Sequence, residues 1–317
     1  MLLGVEIGID SMLLVATSLL GDVLGRLQVP HDAGRDAEAC IVGLAASLCA
    51  LHEQIEDRAR QVLGIGIGLP GGVDEATGYL HFAPNLGWRE VSVGALLDAA
   101  LTGTPLAGVP LFVQNEADVA ALGELEFDPG GAADPLLYVS INQGVGAGVI
   151  VGDRLLIGSR GFAGEIGHTI LQPGGPLCSC GRRGCAEALI GMRAVLAQDG
   201  DSTQESRAAP RPSADGADVQ EAIAIAGRHL GTLLQNLAAA YDPACIVLGG
   251  AGVALGPRFV EPALRTLREH CDAANLPMPI VRLSRHGADA VAVGAAALVR
   301  YRVTRPLISV TSARTAS

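Results

Sequence analysis

The stretch Gly164-Glu-Ile-Gly-His-Thr-Ile-Leu-Gln-Pro-Gly-Gly-Pro-Leu-Cys-Ser-Cys-Gly-Arg-Arg-Gly-Cys-Ala-Glu187 decides how this chain is read. Its histidine, His168, and its three cysteines, Cys178, Cys180 and Cys185, form a complete four-ligand set for tetrahedral zinc of the Cys₃His type. Pro173, Gly174, Gly175, Gly181 and Gly184 lie among them and let a backbone turn tightly around an ion. Two carboxylates, Glu165 and Glu187, are not needed by the metal and are free to meet a ligand beside it. Reduced, buried thiols are the competing reading, and it is the one applied to Cys40, Cys49, Cys245 and Cys271, which sit in apolar or helical contexts. A disulfide is disfavoured, since no secretory leader is read before the first strand.

Composition bounds the possibilities. The 317 residues suffice for one large domain or two ordinary ones. Apolar residues make up 49% and aromatics only 3%, so the core must be built from Ala, Val, Leu and Ile. No apolar run approaches the roughly 18–20 residues that span a bilayer. A soluble, cytoplasmic protein without membrane contact is expected. The formal charge of −11 argues against a broad nucleic-acid-binding face. Apart from histidine, every basic residue is arginine, which excludes Schiff-base chemistry and a Walker-type phosphate lysine.

Along the chain, short apolar runs predict a strand meander over Leu2–Ile9, Met12–Ser18 and Val23–Val29. Helical periodicity follows over Arg35–Arg60, with Ile41, Leu44, Ala45, Leu48 and Leu51 on one face. Val62–Gly68 reads as a strand, Val91–Leu101 as a helix, Leu111–Gln114 as a strand and Glu116–Leu125 as a helix. Asp128–Asp134 reads as a hinge. A second unit then opens with strands at Leu136–Ile141, Val145–Val151 and Arg154–Ile157. Helices are expected at Ala186–Leu196, Gln220–Tyr241, Pro257–His270 and Asp289–Tyr301, and strands at Cys245–Leu248 and Ile280–Leu283. Gly200–Ala217 reads as a loop and the residues from Ser309 as a frayed tail. Two α/β units, each opening with a meander, predict related lobes around a cleft. The expected division is 1–130, together with a returning helix over about 288–317, and 131–287.

The zinc-type stretch also carries a family resemblance. Glu165-Ile-Gly-His168 followed by Cys178-Ser-Cys-Gly-Arg-Arg-Gly-Cys185-Ala-Glu187 resembles the signature of the ROK family of repressors, open reading frames and sugar kinases. The resemblance runs from Gly4 to the last helix before Pro306 and implies a two-lobed, actin-like ATPase or sugar kinase fold with a structural zinc turn. It implies a hexose or N-acetylhexosamine ligand held by Glu165, His168 and Glu187, with Asn85 of Asn85-Leu-Gly-Trp88 and the pair Asn115-Glu116. Such a ligand is a ring of vicinal hydroxyls, which needs carboxylates, amides and imidazoles acting in pairs. Zinc would take one imidazole nitrogen of His168 and leave the other for a hydroxyl. Asn115 has an equally simple alternative as a helix N-cap. The resemblance also implies a homo-oligomer.

The nucleotide side departs from the kinase pattern. Kinases of this family open with Asp-x-Gly-Gly-Thr, where this chain has Glu6-Ile7-Gly8-Ile9-Asp10. A carboxylate at Asp10 would repel phosphate by roughly 4 kcal/mol per charge pair at about 4 Å and an effective dielectric near 20. The second phosphate loop, Gly-Thr-Gly-x-Gly in kinases, is Asn142-Gln143-Gly144-Val145-Gly146. The catalytic Asp becomes Glu116; the added methylene shifts the carboxylate by about 1 Å, a misplacement that can cost about a hundredfold in rate. Gly249-Gly250 still resembles the adenosine-side turn, a sequence equally suited to a plain strand-to-helix connection. Gly8, Gly144, Gly146, Gly249 and Gly250 are thus read as a vestigial ATP site. The pattern resembles the sugar-binding effector domain of ROK transcriptional repressors. An ATP- and Mg²⁺-dependent hexose kinase with Glu116 as base is the alternative. Family repressors carry a helix-turn-helix before the first strand; these residues begin with that strand, so no DNA binding is assigned to them.

Overall fold

The computed structural model describes residues 1–31, 36–55, 61–128, 133–195 and 216–305. The predicted loop at 200–217 falls almost wholly outside them, as do the tail from 309 and the outer ends of the predicted first helix. The chain opens with β1 (Leu2–Ile7), β2 (Ser11–Thr17) and β3 (Val23–Pro30), then α1 (Ala37–Gln54) and β4 (Ile65–Leu69). Next come β5 (Gly72–Asp74), β6 (Tyr79–Ala83), β7 (Trp88–Ser92), α2 (Val93–Leu101), β8 (Leu111–Asn115) and α3 (Glu116–Glu126). The second unit contains β9 (Leu136–Ile141), β10 (Val145–Val151), β11 (Arg154–Leu155), α4 (Glu187–Ile190), α5 (Met192–Val195) and α6 (Gly216–Tyr241). It closes with β12 (Cys245–Gly249), α7 (Pro257–Ala274) and β13 (Ile280–Leu283), and α8 (Ala290–Thr304) ends the described chain.

Two five-stranded sheets result, ordered β3-β2-β1-β4-β8 and β11-β10-β9-β12-β13. In each, an antiparallel meander joins parallel strands: β1, β4 and β8 run together, as do β9, β12 and β13. The sheets are separated by a central layer of α3 and α8, with α1 and α2 outside the first sheet and α6 and α7 outside the second. This is the two-sheet α/β architecture expected from the sequence.

Side-chain size explains the layering. Strand residues alternate between faces. In β4 the large residues Ile65, Ile67 and Leu69 join the core under α1, while Gly66 and Gly68 face the central layer. In β1, Leu3, Val5 and Ile7 go the same way, while Gly4 faces α8. A Cβ on Gly66 would lie 1.8 Å from the Ala295 carbonyl oxygen, and one on Gly4 would lie 2.0 Å from that of Ala292. Helix α8 therefore lies directly on the sheet backbone. On its other side a Cβ at Gly294 would lie 2.0 Å from the Val119 carbonyl oxygen of α3. The alanines of α8 and its one glycine, Gly294, are what allow both approaches at once.

Four local expectations are corrected. The first strand ends at Ile7, because Gly8 N–H already bonds the Ser11 carbonyl in the β1–β2 turn. Val91 and Ser92 belong to β7, one of three short strands in a separate small sheet that the sequence reading did not separate from loop and helix. The single helix expected over 186–196 is split into α4 and α5 at Gly191. There the Met192 N–H turns to the Asn142 carbonyl at 2.9 Å, and a Cβ on Gly191 would lie 2.7 Å from the Gln143 carbonyl. Cys40 is buried as expected, but its Sγ lies 3.3 Å from His31 Nδ1, a partner the spacing did not reveal.

Gly294→Ala should lower stability by about 1–3 kcal/mol, because the new methyl meets backbone that cannot rotate away. Gly43→Ala is its control: it lies within α1 with nothing within 4 Å of a new Cβ, and should add roughly 0.5–1 kcal/mol. Urea midpoints of the two variants should move in opposite directions.

Candidate functional site

The candidate site lies at the carboxyl ends of β1, β8 and β9, where open α/β sheets place their ligands. Four segments build it: the end of β1, the β8–α3 junction, the β9–β10 turn and the zinc-type knuckle.

The knuckle is a local fold with little core of its own. Isolated bridges pair Ile170 with Cys185 and Leu177 with Arg183. The Leu171 N–H donates to the Gly184 carbonyl, the Gly184 N–H to that of Pro176, and the Cys178 N–H to that of Arg182, each at 2.8 Å. Gly184 has φ 76°, and a Cβ there would lie 1.6 Å from the Gln172 carbonyl, so both the dihedral and the space require glycine. The knuckle is pinned to β10 by the Ala147 N–H, which donates to the Gly164 carbonyl at 2.9 Å.

His168, Cys178, Cys180 and Cys185 converge, with ligand atoms all within 4.8 Å of one another. The geometry fits a tetrahedral ion. Zn–S bonds near 2.3 Å imply S···S edges of about 3.8 Å; Cys180 Sγ and Cys185 Sγ are 3.7 Å apart. His168 Nδ1 lies 3.6 Å from Cys178 Sγ, while its Nε2 lies 3.8 Å from Glu165 Oε2. One imidazole nitrogen thus faces the thiols and the other faces the flanking carboxylate. The quartet can hold a zinc ion.

Glu187 opens α4, and its Oε1 accepts from the Ser179 hydroxyl at 2.7 Å. A Cβ on Gly144 would lie 2.8 Å from Glu187 Oε2 and 3.9 Å from Asn85 Nδ2. Glycine at 144 therefore leaves open a space bordered by Asn85 of the first unit and Glu187 of the second. Glu165 is only partly covered; the covering raises its carboxyl above the ordinary range, His168 lowers it and Glu187 raises it again.

Asn115 is the N-cap of α3. Its Oδ1 accepts from the Ala117 N–H at 2.8 Å, and its Nδ2 donates to the Gly71 carbonyl at 2.9 Å. The capping alternative is realised, and the cap fixes Glu116 as the first helical residue. Burial raises the Glu116 carboxyl, against a lowering hydrogen bond from Asn142. Within the same first turn, Asp118 is buried with its Oδ1 unpaired, and its carboxyl is pushed well up by burial and by the charge of Glu165.

Of the glycines read as a vestigial ATP site, Gly8 follows β1, Gly144 lies in the β9–β10 turn, Gly146 is the second residue of β10, Gly249 ends β12 and Gly250 follows it. Two features there were not foreseen. Asn142 spans the β9 and β12 turns: its Nδ2 donates to Ser140 Oγ at 3.2 Å, and its Oδ1 accepts from the Ala251 N–H at 2.8 Å. A Cβ on Gly250 would lie 2.8 Å from that same oxygen. The second is a convergence of acids. The Glu6 carboxyl is pushed from 4.5 to about 8, first by burial and then by the charges of Glu116 and Asp289. The Arg26 guanidinium is directed to Asp289, at 3.1 Å. The one sequence signal for Asn142 was a polar residue standing where kinases have glycine; Asp289, more than 280 residues from Glu6, gave none.

The ROK family model matches residues 2–302. The chain is 28% identical over 316 residues to a putative xylose repressor of Caldicellulosiruptor sp. strain Rt8B.4, covering 94% of this chain and 78% of that one. It is 27% identical over 322 residues to a glucokinase of Halalkalibacterium halodurans, covering 94% of each. Its fold superposes with TM-score 0.75 on a Streptomyces griseus ROK glucokinase solved with glucose and AMPPNP, at 26% identity over 94% of this chain and 99% of that one. Regulators and kinases thus both stand among its relatives.

Glu6 supplies a pH test. Its folded-state pKa lies above the unfolded one, so its contribution to stability is complete below about pH 4.5 and is lost as the pH rises toward about 8. Glu6→Gln should melt higher than wild type at pH 8–9, by about 2–4 °C per kcal/mol of penalty removed. The gap should close by pH 4.5; a gap independent of pH would contradict this placement of charge.

Proposed function

Because the chain belongs to the ROK family, we propose that it is a regulator-type sugar sensor, recognising a hexose or N-acetylhexosamine and impaired in phosphoryl transfer. The sugar contacts are Asn85, Asn115, Glu116, Glu165, His168 and Glu187. The observation that carries the reading is the electrostatics of the phosphate side. The kinase opening Asp-x-Gly-Gly-Thr is replaced by Glu6-Ile7-Gly8-Ile9-Asp10, and burial with the charges of Glu116 and Asp289 pushes the Glu6 carboxyl up to about 8, so near pH 7 it is largely neutral and lacks the charge with which a carboxylate holds Mg²⁺. In addition, the Ala251 N–H is already satisfied by Asn142, which removes a donor from the β12 turn. On the sugar side the Asn115 amide is engaged by Ala117 and Gly71, while Asn85, Glu165, His168 and Glu187 keep amide, carboxylates and imidazole for hydroxyls.

Zinc held by His168, Cys178, Cys180 and Cys185 is part of the proposal. With all four positions filled by protein, such an ion is structural, and it would orient His168 for a hydroxyl. The two sheet-centred units act as lobes divided near residue 130, with α8 returning to the first, whose sheet it packs against. A cytoplasmic homodimer completes the reading. Among the described residues no helix is long and apolar enough to cross a membrane.

The kinase alternative is favoured by one observation: a carboxylate, Glu116, still stands at the N-terminus of α3, where the family's base is found. Turnover decides. Incubated with ATP, Mg²⁺ and its best-binding sugar, the chain should bind the sugar without releasing ADP. ADP release within the enzyme range of roughly 1–1000 per second, abolished by Glu116→Gln, would replace the sensor with a kinase. In calorimetry, Glu165→Ala and Glu187→Ala should each weaken the best sugar by about 1–3 kcal/mol, through lost hydrogen bonds to hydroxyls; unchanged affinities would show the site to be elsewhere.

Metal analysis of the purified chain should return about one zinc per chain. Chelation should lower the melting temperature and sugar affinity together, whereas a well-folded, metal-free protein would remove zinc from the account.

A further inference from the structure

The loop that leads into Glu165 also reaches across the cleft. It leaves β11, and its Ala163 N–H folds back to the Ile157 carbonyl at 3.1 Å. At its tip the Phe162 ring stacks on Phe82 of β6, with centroids 5.8 Å apart and planes 25° apart. His81 lies at 6.0 Å from the same ring. A Cβ on Gly72 would lie 2.1 Å from Phe162 Cε1, and one on Gly161 would lie 2.6 Å from the Val73 carbonyl. The second unit thus seats one aromatic ring against a glycine-floored notch in the small sheet of the first.

The position of this contact gives it consequence. Phe162 is three residues before Glu165, and Phe82 is three before Asn85. Gly71, beside the notch, accepts the hydrogen bond that orients Asn115. The ring therefore ties the strand carrying one set of proposed sugar contacts to the loop carrying the other. Both anchors are short and stiff: Gly164 is bonded to β10, and Asn115 is locked as a cap. The chain has only five phenylalanines, and it keeps two of them here, half-buried, outside the main apolar cores.

We propose that Phe162 is a positioning residue for the sugar site: seated on Gly72 and Phe82, it holds Asn85 and Asn115 in register with Glu165, His168 and Glu187, and so sets discrimination between epimeric sugars. This rests on the sugar-site reading above. Epimers differ in the direction of one hydroxyl, so selectivity depends on the spacing of polar groups on opposite walls more steeply than overall affinity does.

The experiment measures the affinities of the best sugar and its epimers by calorimetry for wild type, Phe162→Ala, Phe162→Tyr, Gly72→Ala and the double variant Phe162→Ala/Gly72→Ala. Glu187→Gln serves as the control for the site itself. Phe162→Ala should weaken the best sugar about tenfold and bring its affinity close to that of its epimers, with zinc content and melting temperature unchanged. Phe162→Tyr should restore both affinity and selectivity. Gly72→Ala, which unseats the ring from the opposite wall, should reproduce the Phe162→Ala result. The double variant should be no worse than either single one, since both remove the same contact. Wild-type affinity and selectivity in Phe162→Ala, alongside loss of binding in Glu187→Gln, would overturn the positioning role and leave the sugar site standing. Weaker binding with a lower melting temperature but an intact epimer ratio would likewise overturn it, reducing Phe162 to packing. Unchanged binding in Glu187→Gln, or no sugar bound by wild type, would remove both readings.

Discussion

The backbone-to-backbone packing of α3 and α8 is the constraint on which the rest of this structure depends. A helix can approach another helix and a sheet this closely only where side chains are absent. Gly294 provides the gap toward Val119, and Gly4 and Gly66 provide it toward α8. Because α3 lies between the two sheets, its N-terminus emerges at the cleft and belongs to both units. Asn115 and Glu116 are placed there by the helix, and the Asn115 cap sets the register of the turn. Any loosening of the central layer would move the α3 carboxylates relative to both sheets.

The same geometry creates the electrical character of the cleft. Helix α8 begins beside the end of β1, which brings Asp289 near Glu6, while α3 brings Glu116 to the same place. A helix N-terminus favours a carboxylate, by typically 0.3–1 kcal/mol. Burial and mutual repulsion outweigh that here, since the Glu6, Glu116 and Asp118 carboxyls are all raised. The arginine that answers Asp289 comes from β3 and pairs with it there. A carboxyl held in its protonated form both donates and accepts, and it lacks the charge with which a carboxylate holds a metal ion.

The knuckle solves a different problem. Between β11 and α4 the chain crosses a long segment with two isolated bridges and no regular strand or helix beyond one short turn. Such a segment has too few apolar contacts to hold side chains within the fraction of an ångström that recognition demands. A zinc ion, which the three thiols and the imidazole can hold, would supply the missing rigidity, and the stacking of Phe162 on Phe82 offers a second anchor from the other wall.

What the sequence determined alone was whatever its own neighbours encode. The helical spacing of Ile41, Leu44, Ala45, Leu48 and Leu51 already states which face of α1 is buried. The quartet of His168, Cys178, Cys180 and Cys185 is legible because the ligands of a compact knuckle are close in sequence. The family motifs around Glu165 and Glu187 are legible for the same reason. The small β5-β6-β7 sheet was missed because its strands are three to five residues long and lack a clean alternation. The break at Gly191 was missed because its cause, the Asn142 and Gln143 carbonyls, lies almost fifty residues away. Only the tertiary structure decided that the charges of Glu116 and Asp289 act on Glu6, that Asn142 closes the β12 turn, and that Phe162 reaches Gly72. Charge repulsion and steric contact act through space, and distance along the chain carries no record of them.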